Sequence, residues 1–494
     1  MTEHGVVIAG AGPTGLMLAA ELRLVGVEAL VIEKRAGRER IQPGALGLHA
    51  RTLEVFDQRG IAGRFLAEGE PMQVLGFAGV RLDISAFPTR HPYGLSLVQR
   101  RSERILLEWA EELGVVIRRG ASVSGFDEDG SGIVVELDDG QRVRAQYLVG
   151  CDGGRSFVRK AAGIGFPGAD PTISHLLAEA ELEGEPKWSL GSDAVGTHAL
   201  SPAADGKASI LVTERGVGTA EPTLELLREA MIAHHGTDHG VRNPTYITRF
   251  TDMTRQAETY RKGRVLLAGD AAHVHYPAGG FGMGLGIQEA VNLGWKLAAV
   301  VKGEAPEMLL DSYHDERHPV AAELLRYTMA TVALGRADAR IEALAAIVRE
   351  LVGLDEARLL TAGRMSGLAV RYPLGESHPL LGRRIPDLEL STDRGTVRLF
   401  TLLHDARGVL VDLGQEPLGG AGPWSGRVHH VVARYDGTWE LPVVGPFAAP
   451  AAVLVRPDGH VAWVGDGTDA GLVEALERWF GPGLSLRESV PGVR

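Results

Sequence analysis

Gly10-Ala11-Gly12-Pro13-Thr14-Gly15 constrains this chain more than any other stretch, because of what stands on either side of it. Val6 to Ala9 is a short apolar run that reads as a buried strand. Leu16, Ala19, Ala20 and Leu22 follow at helical spacing, and Ala29 to Ile32 forms a second apolar run. A glycine-rich turn between a strand and a helix, inside a βαβ unit, is the arrangement that receives a dinucleotide pyrophosphate. Gly10 permits the tight turn, Gly12 lets phosphate approach the backbone, and Gly15 lets helix and strand close up. The helix start turns unpaired N–H groups toward negative charge. Glu33 ends the second run, where a carboxylate accepts ribose hydroxyls and repels a 2′-phosphate. Taken alone, the motif also has a plainer reading, a glycine turn with a solvated glutamate.

Two further motifs remove that isolation. Cys151-Asp152-Gly153-Gly154-Arg155-Ser156 follows the strand-like Tyr147 to Val149, and an ordinary Asp-Gly turn is its alternative. Gly269-Asp270-Ala271-Ala272-His273 follows Val265 to Ala268 and leads through Pro277-Ala278-Gly279-Gly280 into a helix over Gly284 to Val301. Asp270, at a strand end, is placed to bond ribityl hydroxyls. The helix start would stabilise charge on the N1/O2 side of a reduced flavin by about 0.3 to 2 kcal/mol. Together the three motifs point to FAD.

The remainder of the sequence narrows the class. A chain of 494 residues implies two or three domains. A net charge of -12 without a basic stripe argues against nucleic acid. Cys151 is the only cysteine, which excludes an internal disulfide, a CxxC pair and a cysteine-based zinc site, and a cytoplasmic location is expected. No Lys or Arg precedes Arg23 and glycines interrupt the apolar start, so that start reads as a strand and helix rather than a secretion signal. No apolar stretch of about 18 residues suggests a membrane span. The expected fold is α/β, with a Rossmann-like FAD-binding domain from 1–75, 96–165 and 258–373. A β-sheet-rich substrate domain is expected from 76–95 and 166–257, and a linker over 374–386 leads to a C-terminal domain over 387–494. There, Arg456-Pro457-Asp458-Gly459 predicts a hairpin turn, and Leu472, Val473, Leu476 and Trp479 predict an amphipathic helix.

GAGPTG, CDGGRSFVRKAAGI and YRKGRVLLAGDAAHVHYPAGG, with HARTLEVFDQRG and Gln99, resemble the single-component class A flavoprotein monooxygenases related to p-hydroxybenzoate hydroxylase. The resemblance covers roughly residues 1 to 385 and, with Thr89 to Tyr93, is nearest the branch acting on polycyclic aromatic polyketides of tetracycline, anthracycline and angucycline type. It implies a thioredoxin-like C-terminal domain with a structural or oligomerisation role, since cysteines are lacking there. It implies that Gly10, Gly12, Pro13, Thr14, Gly15, Glu33, Lys34, Arg51, Gln99, Asp270, Gly282, Met283 and Gly284 hold FAD. Asp152 and Arg155 would serve both FAD and NADPH (or NADH), and the backbone of Pro277, Gly279 and Gly280 would line the reacting face. Phe77 and Tyr93 are substrate-facing candidates, with core packing as the equal alternative.

The implied activity is NAD(P)H- and O2-dependent hydroxylation of a polycyclic aromatic polyketide through a C4a-hydroperoxyflavin, as a tailoring step in antibiotic biosynthesis, by a monomer or homodimer without nucleic-acid or membrane partners. Baeyer-Villiger or ring-opening oxygenation, oxidative inactivation of an aromatic antibiotic, and a non-catalytic ligand-binding role are the alternatives. Four positions depart from the family pattern: Phe281, Gly284 and Glu289 stand where Gln, Asn and Asp are common, and Gly44 where Arg or Lys faces the cofactor phosphates. Arg40 or Arg51 could compensate for Gly44. These departures mark either altered flavin seating or a relaxed site. His273 and His275 lack a third ligand and read as loop histidines beside the flavin, so no metal site is expected. Cys151 reads as an inert buried thiol, Trp295 as a packing residue, and the lack of a WxW pair argues against halogenation.

Overall fold

Strand Glu3–Ala9 lies parallel between strands Ala29–Glu33 and Arg142–Gly150, and this pairing organises the flavin-binding half of the chain. The computed structural model describes residues 3–38, 44–73, 75–184, 186–193, 195–336, 338–414, 418–419 and 421–483. The sheet runs in the order Arg261–Lys262, Val265–Leu267, Arg142–Gly150, Glu3–Ala9, Ala29–Glu33, Val116–Arg119. Neighbours along this path are parallel except the Arg261–Lys262 edge, and an antiparallel hairpin of Val123–Glu128 and Ile133–Leu137 adds to the sheet beside the first half of Arg142–Gly150. Every residue of Ala29–Glu33 is buried, as expected for a parallel strand covered on both faces.

Register then does the placing. Ala9 pairs with Gly150, and Gly150 with Leu267, so the three strands end side by side. The hydrogen-bond ladder continues one residue beyond: Gly10 N donates to Ile32 O (2.8 Å), Cys151 N to Ala9 O (2.8 Å) and Ala268 N to Gly150 O (3.0 Å). The three glycine-rich motifs therefore leave the sheet in file, at the carboxyl edge where open α/β sheets bind ligands. Helices Pro13–Leu24 and Phe281–Val301 pack closely above it. Thr14 Oγ1 wedges against Gly269 and Gly286, and Glu21 lies against Gly294, positions where an added methyl group would collide.

The middle of the chain forms an antiparallel sheet in the order Ser189–Ser192, Thr197–Pro202, Ala208–Thr213, Ser174–Glu181, Arg242–Thr251. Helix Leu224–His235 covers it, burying Leu227 and Met231 with Leu176, Ile210 and Val212. The 76–95 stretch, expected in this domain, is not part of that sheet. Its Gly94–Ser96 strand pairs with Gly47–Leu48 and Glu70–Met72, and Phe77, Leu82, Ile84 and Phe87 cluster with Phe281, Val352, Met365 and Leu368. Local apolar runs do not reveal which partner they will meet. No helix among the described residues is long and apolar enough to cross a membrane.

The C-terminal sheet is thioredoxin-like and mixed, ordered Val428–Val432, Gly408–Asp412, Ala452–Val455, Val461–Gly465, with helix Leu472–Phe480 against it. The 374–386 segment is no exposed tether: Leu380 and Ile385 are fully buried, and Arg384 Nη1 meets Glu54 Oε1 at 2.8 Å. The hairpin at Arg456–Gly459 forms as its turn chemistry predicts, and its tip plugs into the flavin-binding half. Arg456 grips Glu316 with both terminal nitrogens (2.6 and 2.8 Å), Lys296 Nζ lies 2.8 Å from the same carboxylate, and Asn292 Nδ2 donates to Asp458 Oδ2 (3.1 Å). Burial opposes charge on Glu316, but Arg456 and Lys296 outweigh it and hold its carboxyl at about 2. Burial pulls Lys296 down to about 8. Losing one member of a buried ion network strands its partner's charge. Arg456→Met is expected to destabilise the protein by about 3 to 5 kcal/mol, measured by urea unfolding with fluorescence; a change below about 1 kcal/mol would show that the plug contributes little.

Candidate functional site

At the pyrophosphate end, the backbone geometry meets what the glycines promise. Gly10 has φ +107, and a side chain there would strike Cys151 O; one at Gly15 would strike Gly10 O. A Cβ on Gly12 would have no neighbour within 4 Å, and helix Pro13–Leu24 starts there without a side-chain cap. Free N–H groups facing open space fit an anionic pyrophosphate. Glu33 Oε2 accepts from Ala11 N (2.8 Å), and Oε1 from Arg35 N (2.8 Å) and Nε (3.1 Å). Burial raises its pKa, but these hydrogen bonds and the Arg35 charge prevail, leaving it below the usual value and ionised. Arg35, not Lys34, braces the Glu33 carboxylate; Lys34 is exposed.

At the ring end, Asp270 is exposed on the tight turn Gly269–Ala271. Gly282 adjoins it, since a Cβ there would lie 3.8 Å from Asp270 Oδ1. Glu289 holds both ends of the turn, accepting from Gly269 N and His273 Nε2, each at 2.8 Å. Burial disfavours a charged His273, yet the Glu289 charge outweighs it and raises the histidine pKa. His273 is therefore a fully buried strut, not the loop histidine beside the flavin that its position suggested. Beyond it, Pro277 and Gly279 are exposed, and Gly280 opens helix Phe281–Val301 without a side-chain cap. Met283 is buried in that first turn.

His49, in the HARTLE stretch, fastens this loop. A carbonyl only accepts, so Nε2, 2.7 Å from Gly279 O, must carry the hydrogen. Burial lowers its pKa to about 4, which keeps the ring neutral at pH 7. It stacks on Phe281, with ring centroids 4.6 Å apart. A second pair backs the loop from the middle sheet. Thr213 Oγ1 donates to Thr197 O (2.8 Å), so it accepts from His175 Nδ1 (3.0 Å), leaving His175 Nε2 to accept from Tyr276 OH (3.2 Å). His175 lies in the motif-poor middle segment, where no local pattern marks it.

The family departures have local explanations. A Cβ on Gly284 would lie 2.6 Å from Thr52 Oγ1, which also accepts from Gln288 Nε2 (3.3 Å). The hydroxyl of Thr52 thus takes part of the space an asparagine would need. Gly44 has φ +70 and backs onto Gln99, whose Oε1 accepts from Ala45 N (3.0 Å) and whose N–H donates to Ala45 O (2.7 Å). Gln99 clamps the backbone there, and a longer side chain at 44 would overlap it. Arg51 does not compensate: it is 3% exposed and turned away, to Glu54 Oε2 (3.1 Å) and Asp458 O (3.0 Å) at the hairpin tip. Arg40 lies outside the described residues.

Asp152 caps helix Phe157–Ala161 through Phe157 N (2.7 Å) and Val158 N (3.1 Å), while Arg155 is exposed. Arg159 ties the second motif to the third through Gly154 O (3.0 Å) and Ala271 O (2.8 Å). The two substrate-facing candidates are both engaged by the protein itself, Tyr93 half-buried and Phe77 buried. Tyr93 OH bonds His91 Nδ1 (3.1 Å), whose Nε2 meets Asp57 (2.9 Å) in a network that continues to Arg398. Phe77 is buried edge-on to Tyr327, behind a cavity of about 330 Å³ that His49, Thr52, Phe281, Gln288, Tyr327 and Arg371 help line. Gly284→Asn is expected to lower the flavin-to-protein absorbance ratio of purified enzyme, and Thr52→Ala in the same chain to restore it. Equal flavin content in both variants would mean the two positions do not compete for space.

The matches to known proteins follow this geometry. Residues 3–328 match the FAD binding domain family, and residues 378–483 match the aromatic-ring hydroxylase C-terminal family. The 12-dehydrotetracycline 5-monooxygenase/anhydrotetracycline 6-monooxygenase of Streptomyces rimosus subsp. rimosus is 45% identical, over 97% of this chain and 99% of its own. The rifampicin monooxygenase of Streptomyces venezuelae is 44% identical, over 96% and 98%. The solved structure of OxyS anhydrotetracycline hydroxylase from Streptomyces rimosus superposes with a TM-score of 0.89 at 43% identity, covering 98% of this chain and all of that one. With both halves of the chain matched and the nucleotide edge built as described, the chain belongs to the FAD-dependent aromatic-ring hydroxylase family of flavoprotein monooxygenases.

Proposed function

We propose that this chain is an NAD(P)H- and O2-dependent monooxygenase that hydroxylates a polycyclic aromatic polyketide in antibiotic tailoring. The observation that carries this reading is the side-chain-poor Pro277–Gly280 segment, partly open to solvent and running into an uncapped helix start beside Asp270. Gly10, Gly12, Pro13 and Gly15 would hold the pyrophosphate, Glu33 the adenosine ribose, and Asp270 the ribityl chain. Gly282 and Gly284 would lie beside the ring, with Thr14 acting through its packing on Gly269 and Gly286. Bound FAD, reduced by NAD(P)H, supplies activation of O2 and delivery of one oxygen atom to an electron-rich ring.

The remaining work falls to the chain. The uncapped start of helix Phe281–Val301 would favour negative charge on a flavin bound beside it by about 0.3 to 2 kcal/mol. His49 fixes the Gly279 carbonyl, so the loop keeps its shape without placing an acid or base at the reacting face. Tyr276 OH donates a hydrogen bond to neutral His175, whose pKa burial lowers to about 4, and its oxygen lone pairs are left to accept from a substrate phenol. A phenol drawn toward phenolate is a better nucleophile for electrophilic oxygen. Arg155, exposed beside the Asp152-capped turn, is the side chain we assign to the visiting nicotinamide cofactor. The five-stranded middle sheet, which carries His175, is the substrate side in this reading, and the protein acts as a monomer or homodimer.

Oxidative inactivation of an aromatic antibiotic is the second reading, supported by the rifampicin monooxygenase relative. Both require substrate-stimulated NADPH oxidation with one atom from labelled O2 in the product, read by mass spectrometry across tetracyclic phenols, quinones and rifamycins. Turnover of biosynthetic phenols favours tailoring, turnover of the finished antibiotic favours inactivation, and an unlabelled product removes both. Tyr276→Phe is expected to slow product formation on the order of 10²-fold with FAD content unchanged; an unchanged rate would remove Tyr276 from the substrate's surroundings.

A further inference from the structure

A second polar cluster sits at the outer end of the middle sheet, away from the strand-end loops. Asp193 follows strand Ser189–Ser192, His198 lies on the next strand, Thr197–Pro202, and His234 is in the last turn of helix Leu224–His235. One ligand atom from each lies within 4.8 Å of the other two. Asp193 Oδ2 is 2.8 Å from His234 Nδ1 and 3.6 Å from His198 Nδ1.

The hydrogen bonds expose a mismatch. His234 Nε2 lies 2.9 Å from Thr213 O, and a carbonyl only accepts, so Nε2 carries the hydrogen. In neutral imidazole Nδ1 then holds a lone pair, and it faces a carboxylate oxygen, another acceptor. Two acceptors at 2.8 Å repel unless a cation, either a proton or a metal, lies between them. His198 Nδ1 adds a third donor atom aimed at the same oxygen; it is buried and has no hydrogen-bond partner among the described residues. Zinc-like ions bind histidine nitrogen and carboxylate oxygen at about 2.0 to 2.2 Å, so tetrahedral ligand atoms stand about 3.3 Å apart. The observed 2.8 and 3.6 Å bracket that spacing. A metal-binding histidine commonly gives its second N–H to a backbone carbonyl, as His234 does here.

We propose that Asp193, His198 and His234 bind a divalent transition-metal ion of the zinc and cobalt(II) class, with the fourth position left to water. The ion ties the turn after Ser189–Ser192 to the end of helix Leu224–His235. It also braces Thr213, whose side chain accepts from His175, so the site supports the strand behind the Tyr276 pair. The expectation that the chain has no metal site rested on His273 and His275; these three ligands are scattered over 41 residues and leave no spacing motif.

The test uses untagged holoenzyme, stripped with chelator and titrated with Co2+, followed by its visible ligand-field absorption. One equivalent should bind with a tetrahedral-type spectrum, and Zn2+ should displace it. His198→Ala and Asp193→Asn should each weaken binding at least tenfold with FAD content unchanged, while His239→Ala should not. Zn2+ should raise the thermal midpoint of the wild type and leave that of His198→Ala unmoved. Failure of the wild type to take up a stoichiometric ion, or full binding by both His198→Ala and Asp193→Asn, overturns the proposal and leaves a protonated His234–Asp193 ion pair in its place.

Discussion

The structure depends on a hydrogen-bond ladder that runs one residue past the ends of its parallel strands. Ile32 O, Ala9 O and Gly150 O each accept from the first residue of a neighbouring loop, and those loops carry the pyrophosphate turn, the Asp152 cap and the Asp270 turn. Only a residue without Cβ fits at Gly10, because Cys151 O occupies the space. A single backbone constraint thus aligns three stretches of chain separated by more than a hundred residues. Side chains then lock the alignment: Glu33 on Ala11, Arg159 on Ala271, and Glu289 on Gly269 and His273.

The part of the site written in backbone terms was legible in the sequence. Glycines that must approach another backbone, and an acid at a strand end, have few substitutes, so Gly10, Gly15, Glu33 and Asp270 announce themselves with their context. Roles decided by tertiary contact were not legible. Arg51 looks like a phosphate ligand until a hairpin 407 residues further on presents Asp458 O to it. Tyr93 looks like a substrate contact until His91, itself held by Asp57, bonds its hydroxyl. His49 and His175 act through a single hydrogen bond each to the reacting loop, and no local pattern distinguishes such a histidine from any other. Periodicity placed the strands of the flavin-binding sheet well, whereas the packing of 76–95 against Phe281, Val352 and Met365 left no periodic signal, because burial patterns do not name a partner.

The departures from the family pattern also change meaning in three dimensions. Gly284 and Gly44, seen as missing side chains, left altered flavin seating and a relaxed site equally open. Each proves to be packed by a neighbour, Thr52 in one case and Gln99 in the other. Phe281 replaces an amide with an aromatic face that stacks on His49. The ring-facing loop is therefore held by stacking and backbone contact, and His49, neutral at pH 7, adds no charge to it.

The hairpin tip at Arg456 to Gly459 has a bearing on how such chains diversify. Its charges are answered by Glu316, Lys296 and Asn292 on two helices of the flavin-binding half, and Arg59, paired with Glu21, also donates to Pro457 O. A recombination event that exchanged the C-terminal unit at the 374–386 junction would import a tip whose charges no longer matched their sockets. The two halves are thus coupled through buried charge. The C-terminal unit, which contains no cysteine, supplies counter-charge to polar residues that the long helix Phe281–Val301 buries.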